Sequence, residues 1–148
     1  RGMSLIHQAG CVAIAGRAIL IEGAPGSGKS TLALALIDRG AVLIGDDGVT
    51  LDRQEGRLIA SPPPNIAGLL EVRNLGLLTF PTTSAVPVAL VLRLDPQAPR
   101  FIDCAELAEI GGTKLPLIRL WPGGEVLALK AELALDRYGL GLGAKGEG

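Results

Sequence analysis

The stretch Gly23-Ala-Pro-Gly-Ser-Gly-Lys-Ser-Thr31 follows the apolar run Ala18-Ile-Leu-Ile21 and precedes the helix-forming run Leu32-Ala-Leu-Ala-Leu-Ile37. It matches the pattern G-x-x-x-x-G-K-[ST], placed here between a predicted strand and a predicted helix. In such a loop, consecutive backbone N–H groups converge on phosphate oxygens, and the N-terminus of the following helix adds partial positive charge. The stretch therefore predicts a phosphate-binding loop (P-loop) for a nucleoside triphosphate.

Two side chains of the loop have specific expected roles. Lys29 would reach the β- and γ-phosphates, and the Ser30 hydroxyl would take one coordination position on Mg²⁺. The alternative is a plain glycine-rich turn, but the joint spacing of glycine, lysine and serine between a strand and a helix argues against it. The predicted nucleotide-binding residues are Gly23, Ala24, Pro25, Gly26, Ser27, Gly28, Lys29, Ser30 and Thr31.

Length and composition predict one globular domain. The chain has 148 residues, of which 48% are hydrophobic and 20% charged, enough for a single buried core. We expect one domain over residues 3–140 and a frayed glycine-rich tail over residues 141–148.

Charge and cysteine usage limit the expected partners and location. A net charge of −1 and few, scattered aromatic residues do not favour nucleic acid. The uncharged stretch 74–92 holds prolines and hydroxyl residues, so we interpret it as a loop followed by a buried strand and expect no membrane span. Cys11 and Cys104 require no disulfide, and a reducing cytoplasm fits them better.

Hydrophobic periodicity and turn residues give a coarse map of secondary structure. We predict strands at residues 5–7, 11–14, 18–22, 41–44, 49–53, 57–60, 86–94 and 115–120, and helices at residues 29–38 and 126–135. The first helix is expected to stop at Gly40, and residues 49–60 to form a hairpin. Antiparallel strands are thus mixed into a P-loop framework, which predicts an α/β domain with a mixed sheet.

Two adjacent acidic residues, Asp46 and Asp47, end the apolar strand that follows the P-loop helix. P-loop proteins place a carboxylate beside Mg²⁺ at this position. An ideal strand would send only one of the two toward the phosphates, although a twist at the strand end could bring both. The alternative is an Asp-Asp-Gly turn leading into the next hairpin.

Three further residues are candidates for the site. Glu71 and Arg73 interrupt the apolar stretch Leu69–Leu78, and buried charges need a partner or a metal. An amphipathic edge strand with both charges in water explains the same pattern equally well. His7 is the only histidine, and on an apolar strand a hydrogen-bonded core role is more common than a catalytic one.

The sequence resembles the catalytic domain of bacterial HPr kinase/phosphorylase in a series of motifs. That domain is related in fold to PEP carboxykinase. In chain order the motifs are His7 ahead of a strand, Gly23 to Ser30, Asp38-Arg-Gly40 leading into Gly45-Asp-Asp47, and Leu70-Glu-Val-Arg73 with Leu75-Gly76. The motifs span Leu5 to Leu78, and the last one is the most specific. The resemblance implies a PEP carboxykinase-like P-loop domain of the HPr kinase type, in a short form without the family's N-terminal domain.

The resemblance also implies an activity. That family uses ATP to phosphorylate a seryl hydroxyl of the phosphocarrier protein HPr and can reverse the step by phosphorolysis. Carried over, Asp46 is the general base and His7 adjusts it, while Ser30, Asp47 and Glu71 hold or orient Mg²⁺. Asp46 and Asp47 can exchange these roles. Arg73 is a candidate for a phosphate or substrate contact.

Some residues depart from the family pattern. Pro25 stands where the family usually has serine, Thr31 where an acidic residue is common, and Asn74 where its signature has glycine. Phosphorolysis and a homo-oligomer therefore remain open. A small-molecule kinase and a non-catalytic nucleotide sensor remain the alternatives. Because a sensor needs no base, the presence of both Asp46 and Glu71 favours the kinase.

Overall fold

Strands dominate the described part of the chain, residues 4–141 of a computed structural model. In chain order the elements are β1 Ser4–His7, β2 Gly10–Ile14, β3 Arg17–Gly23, α1 Lys29–Asp38, β4 Val42–Gly45, β5 Val49–Gln54, β6 Arg57–Ser61, β7 Leu69–Val72, β8 Gly76–Thr79, β9 Val86–Leu94, β10 Glu106–Ile110, β11 Thr113–Leu120 and α2 Leu127–Tyr138. Nine strands form one mixed sheet, and β7 and β8 form a separate two-stranded sheet. The predicted α/β fold with a mixed sheet is confirmed.

The centre of the large sheet determines where the P-loop lies. Strand β3 pairs antiparallel with β2 and parallel with β9, and β9 pairs parallel with β11. Because parallel strands end at the same edge of a sheet, the chain leaves β3, β9 and β11 at one common edge. The P-loop begins there, after the β2–β3 hairpin, as the sequence predicts.

The large sheet is covered on both faces. Ile19 and Ile21 of β3 pack in a cluster with α1 and α2, whereas Ala18 and Leu20 pack in a second cluster on the opposite face. Strands β5, β6 and β11 of the same sheet contribute to the second cluster, so the sheet curls around it. A strand buried on both faces is apolar throughout, which explains the continuous run at residues 18–21.

Helix α1 has the predicted bounds, and its end has a defined cause. The N–H of Gly40 donates to the Ile37 carbonyl and the N–H of Ala41 to the Leu36 carbonyl, each at 3.0 Å. This pair of bonds is a Schellman motif. Gly40 has φ 110°, a conformation that glycine adopts without strain. The chain therefore turns at Gly40 into β4, which carries the acidic pair at its end.

Most of the other predicted elements are also confirmed. The hairpin β5–β6, the buried strand β9 and strand β11 lie where periodicity places them. Helix α2, predicted over residues 126–135, extends to Tyr138. Of the predicted tail, 141–148, only Gly141 is within the described residues.

The prediction of secondary structure for residues 69–79 is wrong in one respect. The sequence suggests an edge strand and then a loop, but the segment folds into the hairpin β7–β8. The turn depends on Asn74, at φ 77°, and on a hydrogen bond from the Leu75 N–H to the Val72 carbonyl at 2.9 Å. Asparagine is one of the few non-glycine residues that tolerate this left-handed conformation.

Strand β10 is absent from the predicted elements. Four of its five residues are exposed or only partly buried. A strand with so little burial has no clear apolar periodicity from which it could be predicted. It forms because β11 offers it an antiparallel partner.

Two expectations on location and redox state can be compared with the fold. In residues 4–141, no helix is both long and apolar enough to cross a bilayer. Cys11 is buried in β2 and Cys104 is exposed, and both are free thiols. Burial raises the pKa of the Cys11 thiol, which keeps it protonated and unreactive.

Candidate functional site

The P-loop connects the end of β3 to the start of α1. Gly26 and Gly28 have φ 79° and 102°, and a Cβ atom built at either would meet no other atom within 4 Å. Glycine is therefore needed here for backbone conformation rather than for space. The Lys29 ammonium donates to the carbonyl oxygens of Gly23 and Ala24 at 3.0 and 3.2 Å. These bonds hold the ammonium against the loop's own backbone.

Asp46 joins three elements of the site. Its Oδ1 accepts a hydrogen bond from the Ser30 hydroxyl at 2.7 Å, and its Oδ2 accepts one from the backbone N–H of Glu71 at 3.1 Å. Ser30 lies in the first turn of α1, and Glu71 lies in β7. The predicted metal-ligating serine, the acidic pair and the charged hairpin are thus held together by one carboxylate.

Asp46 and Asp47 both face the same cleft. They can do so because the backbone departs from extended strand conformation at Asp47. Asp47 has φ 68°, so it does not continue the alternation of strand β4. A Cβ atom at Gly45 would overlap the carbonyl oxygen of Gly48, so this tight turn needs glycine at position 45. The departure from strand geometry that would bring both aspartates to one side is present, as the left-handed conformation of Asp47.

A cleft of about 460 Å³ opens over these residues. It is lined by the predicted site residues Pro25, Gly26, Gly28, Lys29, Ser30, Thr31, Asp46, Asp47, Glu71 and Arg73, and also by Leu77. Glu71 and Arg73 are exposed, so water solvates both charges and neither needs an ion-pair partner or a metal. Their side chains are in water, as in an edge strand, yet they lie in the cleft.

Four residues from the prediction are outside the cleft lining: His7, Gly23, Ala24 and Ser27. Gly23 and Ala24 contribute through the carbonyl groups that hold Lys29. The Ser27 hydroxyl is buried and has no hydrogen-bond partner within the described chain. A buried hydroxyl without a partner is costly, and this one lies beside Gly23, where a Cβ atom at position 23 would meet it.

His7 has a different partner from the one that the resemblance implies. Its Nε2 lies 3.1 Å from Oε2 of Glu22, whereas no hydrogen bond joins it to Asp46 in residues 4–141. Strand β1 pairs with β5 at the margin of the sheet, which places His7 opposite Val49. The expectation that His7 adjusts Asp46 therefore has no direct contact behind it and stays a prediction.

Sequence reasoning missed Glu22 and Arg93. They are paired in the parallel register of β3 and β9, and Arg93 donates two hydrogen bonds to Oε1 of Glu22, at 2.7 and 3.1 Å. The hydrogen bond from His7, and then that from Arg93, hold the pKa of the Glu22 carboxyl below its ordinary value of 4.5. Glu22 is the residue before the P-loop, so this cluster fixes the point from which the loop departs.

A signal for this pair is present in the sequence. Glu22 and Arg93 each interrupt an apolar strand close to its end, and their charges are opposite. The signal is weak because nothing in the sequence says that β9 is the neighbour of β3 or gives their register.

The donor set of the cleft suits magnesium better than a metal held by protein alone. No three His, Cys, Asp or Glu side chains in residues 4–141 gather closely enough to hold a metal ion. Mg²⁺ is commonly bound by one or two carboxylates together with substrate phosphates and water. The hydroxyl of Ser30 and the carboxylates of Asp46, Asp47 and Glu71 are hard oxygen ligands of that kind.

Comparison with known proteins is decisive on the family. The HPr Serine kinase C-terminal domain matches residues 3–85, which is more than half of the chain. The chain belongs to this family. The predicted resemblance, based on the P-loop, the acidic pair and the Glu71–Arg73 motif, is thereby confirmed.

Individual relatives of the HPr serine kinase family agree in sequence and in fold. HPr kinase/phosphorylase of Clostridium tetani is 48% identical over 71 residues, and that of Shouchella clausii is 44% identical over 72 residues. Each match covers 48% of this chain and 23% of the relative, so the matched region is about a quarter of those curated proteins. The solved Hpr(Ser) kinase/phosphatase of Coxiella burnetii superposes with a TM-score of 0.79 at 28% identity, covering 89% of this chain and 88% of that one.

Replacement of Glu22 tests the cluster beside the P-loop. Glu22→Gln keeps the shape of the side chain but loses the charge that Arg93 and His7 bind, and we expect a loss of about 1–3 kcal/mol in the free energy of unfolding at pH 7. The pKa of Glu22 is lowered in the folded state, so its contribution is present above pH 4.5 and is lost as the pH falls through the folded pKa. The stability difference between wild type and variant, measured by urea unfolding, should therefore shrink in acid.

Glu132→Gln is the matched control, because Glu132 forms a similar pair with Arg39 on the surface. Solvent screens that pair, so the loss of stability should be smaller. Equal losses in the two variants, or a Glu22→Gln difference that does not depend on pH, would contradict a special role for Glu22.

Proposed function

We propose that this chain is an ATP-dependent serine kinase that transfers a phosphoryl group to the phosphocarrier protein HPr. The proposal rests on one observation above all, which is that a P-loop and an acidic pair share a single cleft with the charged hairpin. Membership of the HPr serine kinase family supports the choice of a protein serine as acceptor. Relatives named HPr kinase/phosphorylase support HPr as the protein that carries this serine.

The P-loop would hold the phosphates of ATP. Its backbone N–H groups and the N-terminus of α1 attract phosphate oxygens. On binding, Lys29 would exchange the carbonyl oxygens of Gly23 and Ala24 for the β- and γ-phosphates.

Magnesium would lie between the phosphates and the acidic side of the cleft. Ser30 and Glu71 are suited to hold it, together with one of the two aspartates. When bound, the ion neutralises charge on the transferring phosphoryl group. The hydrogen bond from Ser30 to Asp46 supports a place for Asp46 directly beside the metal position.

The acceptor serine needs a group that takes its proton. As its oxygen attacks the γ-phosphorus, a new O–P bond forms, ADP leaves with the electrons of the old bond, and the hydroxyl proton passes to a carboxylate. Asp46 has this role by resemblance, but both of its oxygens already accept hydrogen bonds from Ser30 and Glu71. Asp47 is exposed in the same cleft, and its side chain makes no hydrogen bond or ion pair with the rest of residues 4–141. The two aspartates are therefore competing candidates for the base.

The reverse step and the cellular location complete the proposal. Several relatives are named kinase/phosphorylase, and the same cleft would accept inorganic phosphate for phosphorolysis of phosphoserine-HPr.

The free thiols of Cys11 and Cys104 accord with a reducing cytoplasm as the location of the protein.

Lys29→Ala tests nucleotide binding. Charge-assisted hydrogen bonds contribute about 1.5–3 kcal/mol, so the dissociation constant for Mg-ATP should rise roughly tenfold or more. Isothermal titration calorimetry measures the change, and Lys114→Ala, a lysine on β11 outside this cleft, is the control. Unchanged ATP affinity in a folded Lys29→Ala protein would remove the P-loop assignment.

Glu71→Gln tests the metal. The amide keeps the shape of the side chain but loses the charge that Mg²⁺ prefers, and the fold should survive because the side chain is exposed. Loss of an outer-shell partner alone weakens a metal site about tenfold, so loss of a ligand should raise the Mg²⁺ concentration needed for ATP binding by at least that factor. Glu109→Gln, on the exposed part of β10, should have no effect. Overlapping Mg²⁺ titrations of wild type and Glu71→Gln would exclude Glu71 from the site.

Transfer of phosphate from ATP to purified HPr, followed by mass spectrometry, tests the activity itself. Asp46→Asn and Asp47→Asn are made separately. The variant that has lost the base should bind Mg-ATP almost as wild type but transfer phosphate about 10²–10⁴-fold more slowly, whereas the variant that has lost the metal contact should lose Mg-ATP affinity. If the wild type binds ATP and transfers nothing to any HPr or related carrier protein, a nucleotide sensor replaces the protein kinase.

A further inference from the structure

The hairpin β7–β8 has two chemically different faces. Residues directly opposite each other on the two strands point to the same side, so Leu70 shares a face with Leu78, and Glu71 shares the other with Leu77. Leu70 is fully buried, and Leu78 is 37% exposed on the same side. The Glu71 face looks into the cleft.

Leu77 is an unusual residue for a polyphosphate site. It is 66% exposed and lines the cleft beside Glu71, and Leu75 in the hairpin turn is 70% exposed. Neither phosphate groups nor Mg²⁺ interact favourably with an apolar side chain. Leu75 is two positions before Leu77 and does not itself line the cleft. Exposed apolar residues that are continuous with one another and rimmed by polar groups mark interaction sites.

We propose that Leu75 and Leu77, here called the leucine rim, are the docking surface for the protein that presents the acceptor serine. The inference rests on the proposed kinase function and adds to it the place where the protein substrate binds. The partner would present an apolar surface next to its serine. Arg73, which is exposed and lines the same cleft as Leu77, makes no ion pair within residues 4–141 and would suit a carboxylate of the same partner.

The reach of a serine side chain supports this occupant over others. Productive attack needs the acceptor oxygen within about 3–3.5 Å of the phosphorus, and a serine oxygen is only two bonds from its Cα atom. The backbone of the acceptor must therefore enter the cleft, and the residues that flank the serine must lie against its edge. Leu77 is at that edge and is continuous with the phosphate site. A second copy of the chain on the same rim would obstruct the acceptor.

The test uses steady-state phosphorylation of HPr by ATP with the variants Leu77→Gln and Leu75→Gln. Glutamine is close to leucine in size, and neither position is buried, so both variants should fold with unchanged melting temperature. We expect KM for HPr to rise about tenfold, as for truncation of an apolar contact at the centre of an interface, while kcat is retained. Leu107→Gln is the matched control, because Leu107 is also on a strand and is 69% exposed, away from the cleft.

The outcomes separate this inference from the proposed function. If wild type phosphorylates HPr and KM for HPr is the same in Leu77→Gln, Leu75→Gln and Leu107→Gln, the docking surface is wrong and the kinase stands. If wild type transfers no phosphate to HPr, the kinase and the docking surface are both wrong. If Leu77→Gln changes the sedimentation coefficient and not KM, the rim is an interface between copies of this chain, which also overturns the proposal. A selective rise in KM for HPr in both rim variants supports it.

Discussion

Strand β3 lies between an antiparallel neighbour, β2, and a parallel neighbour, β9, and its apolar residues, 18–21, are fully buried. This position fixes the end of the strand, and with it the departure point of the P-loop. Phosphate binding by backbone N–H groups requires a loop whose geometry is already set, because ordering it on binding would cost conformational entropy. The cluster of Glu22, His7 and Arg93 adds a polar anchor at the same point. The proposed phosphate site therefore depends on the centre of the sheet.

The acidic side of the site depends on a single carboxylate. Asp46 accepts hydrogen bonds from a helix and from a hairpin that belongs to a different sheet, so it links parts of the fold that share few other polar contacts. Three carboxylates and two cations lie around one cleft. Such a set leaves room for phosphates and a divalent ion to balance the charge, which accords with the lack of a three-ligand metal cluster in residues 4–141.

The hairpin β7–β8 both contributes to the core and presents side chains to the cleft, which a strand covered on both faces in the large sheet could not do. One face supplies Leu70 to the core, and the other presents Glu71 and Leu77 to the cleft. Because the hairpin is paired only with itself, its cleft face is not covered by neighbouring strands. A charged residue and an exposed leucine can therefore be adjacent at the edge of the site.

The sequence by itself determined the elements whose causes are local. The P-loop is encoded by glycines, lysine and serine at fixed spacing, and the buried strands are continuous apolar runs. Helix α1 stops before Gly40 because glycine accepts the left-handed conformation in which the chain turns there. Asp46, Asp47 and Glu71 could be selected as candidates because their charges interrupt apolar runs. The motif order was sufficient to indicate the family.

Only the tertiary structure decided what depends on strand neighbours. The pairing of Glu22 with Arg93 follows from the parallel register of β3 and β9, which joins residues 71 positions apart. The contact of His7 with Glu22 likewise joins strands that are not neighbours in sequence. Strand β10 and the shared face of Glu71 and Leu77 depend instead on local hairpin pairing, which the hydrophobic pattern does not reveal. Long-range pairing is set by the packing of the whole sheet, and a single sequence records the residues that pair but not which of them become neighbours.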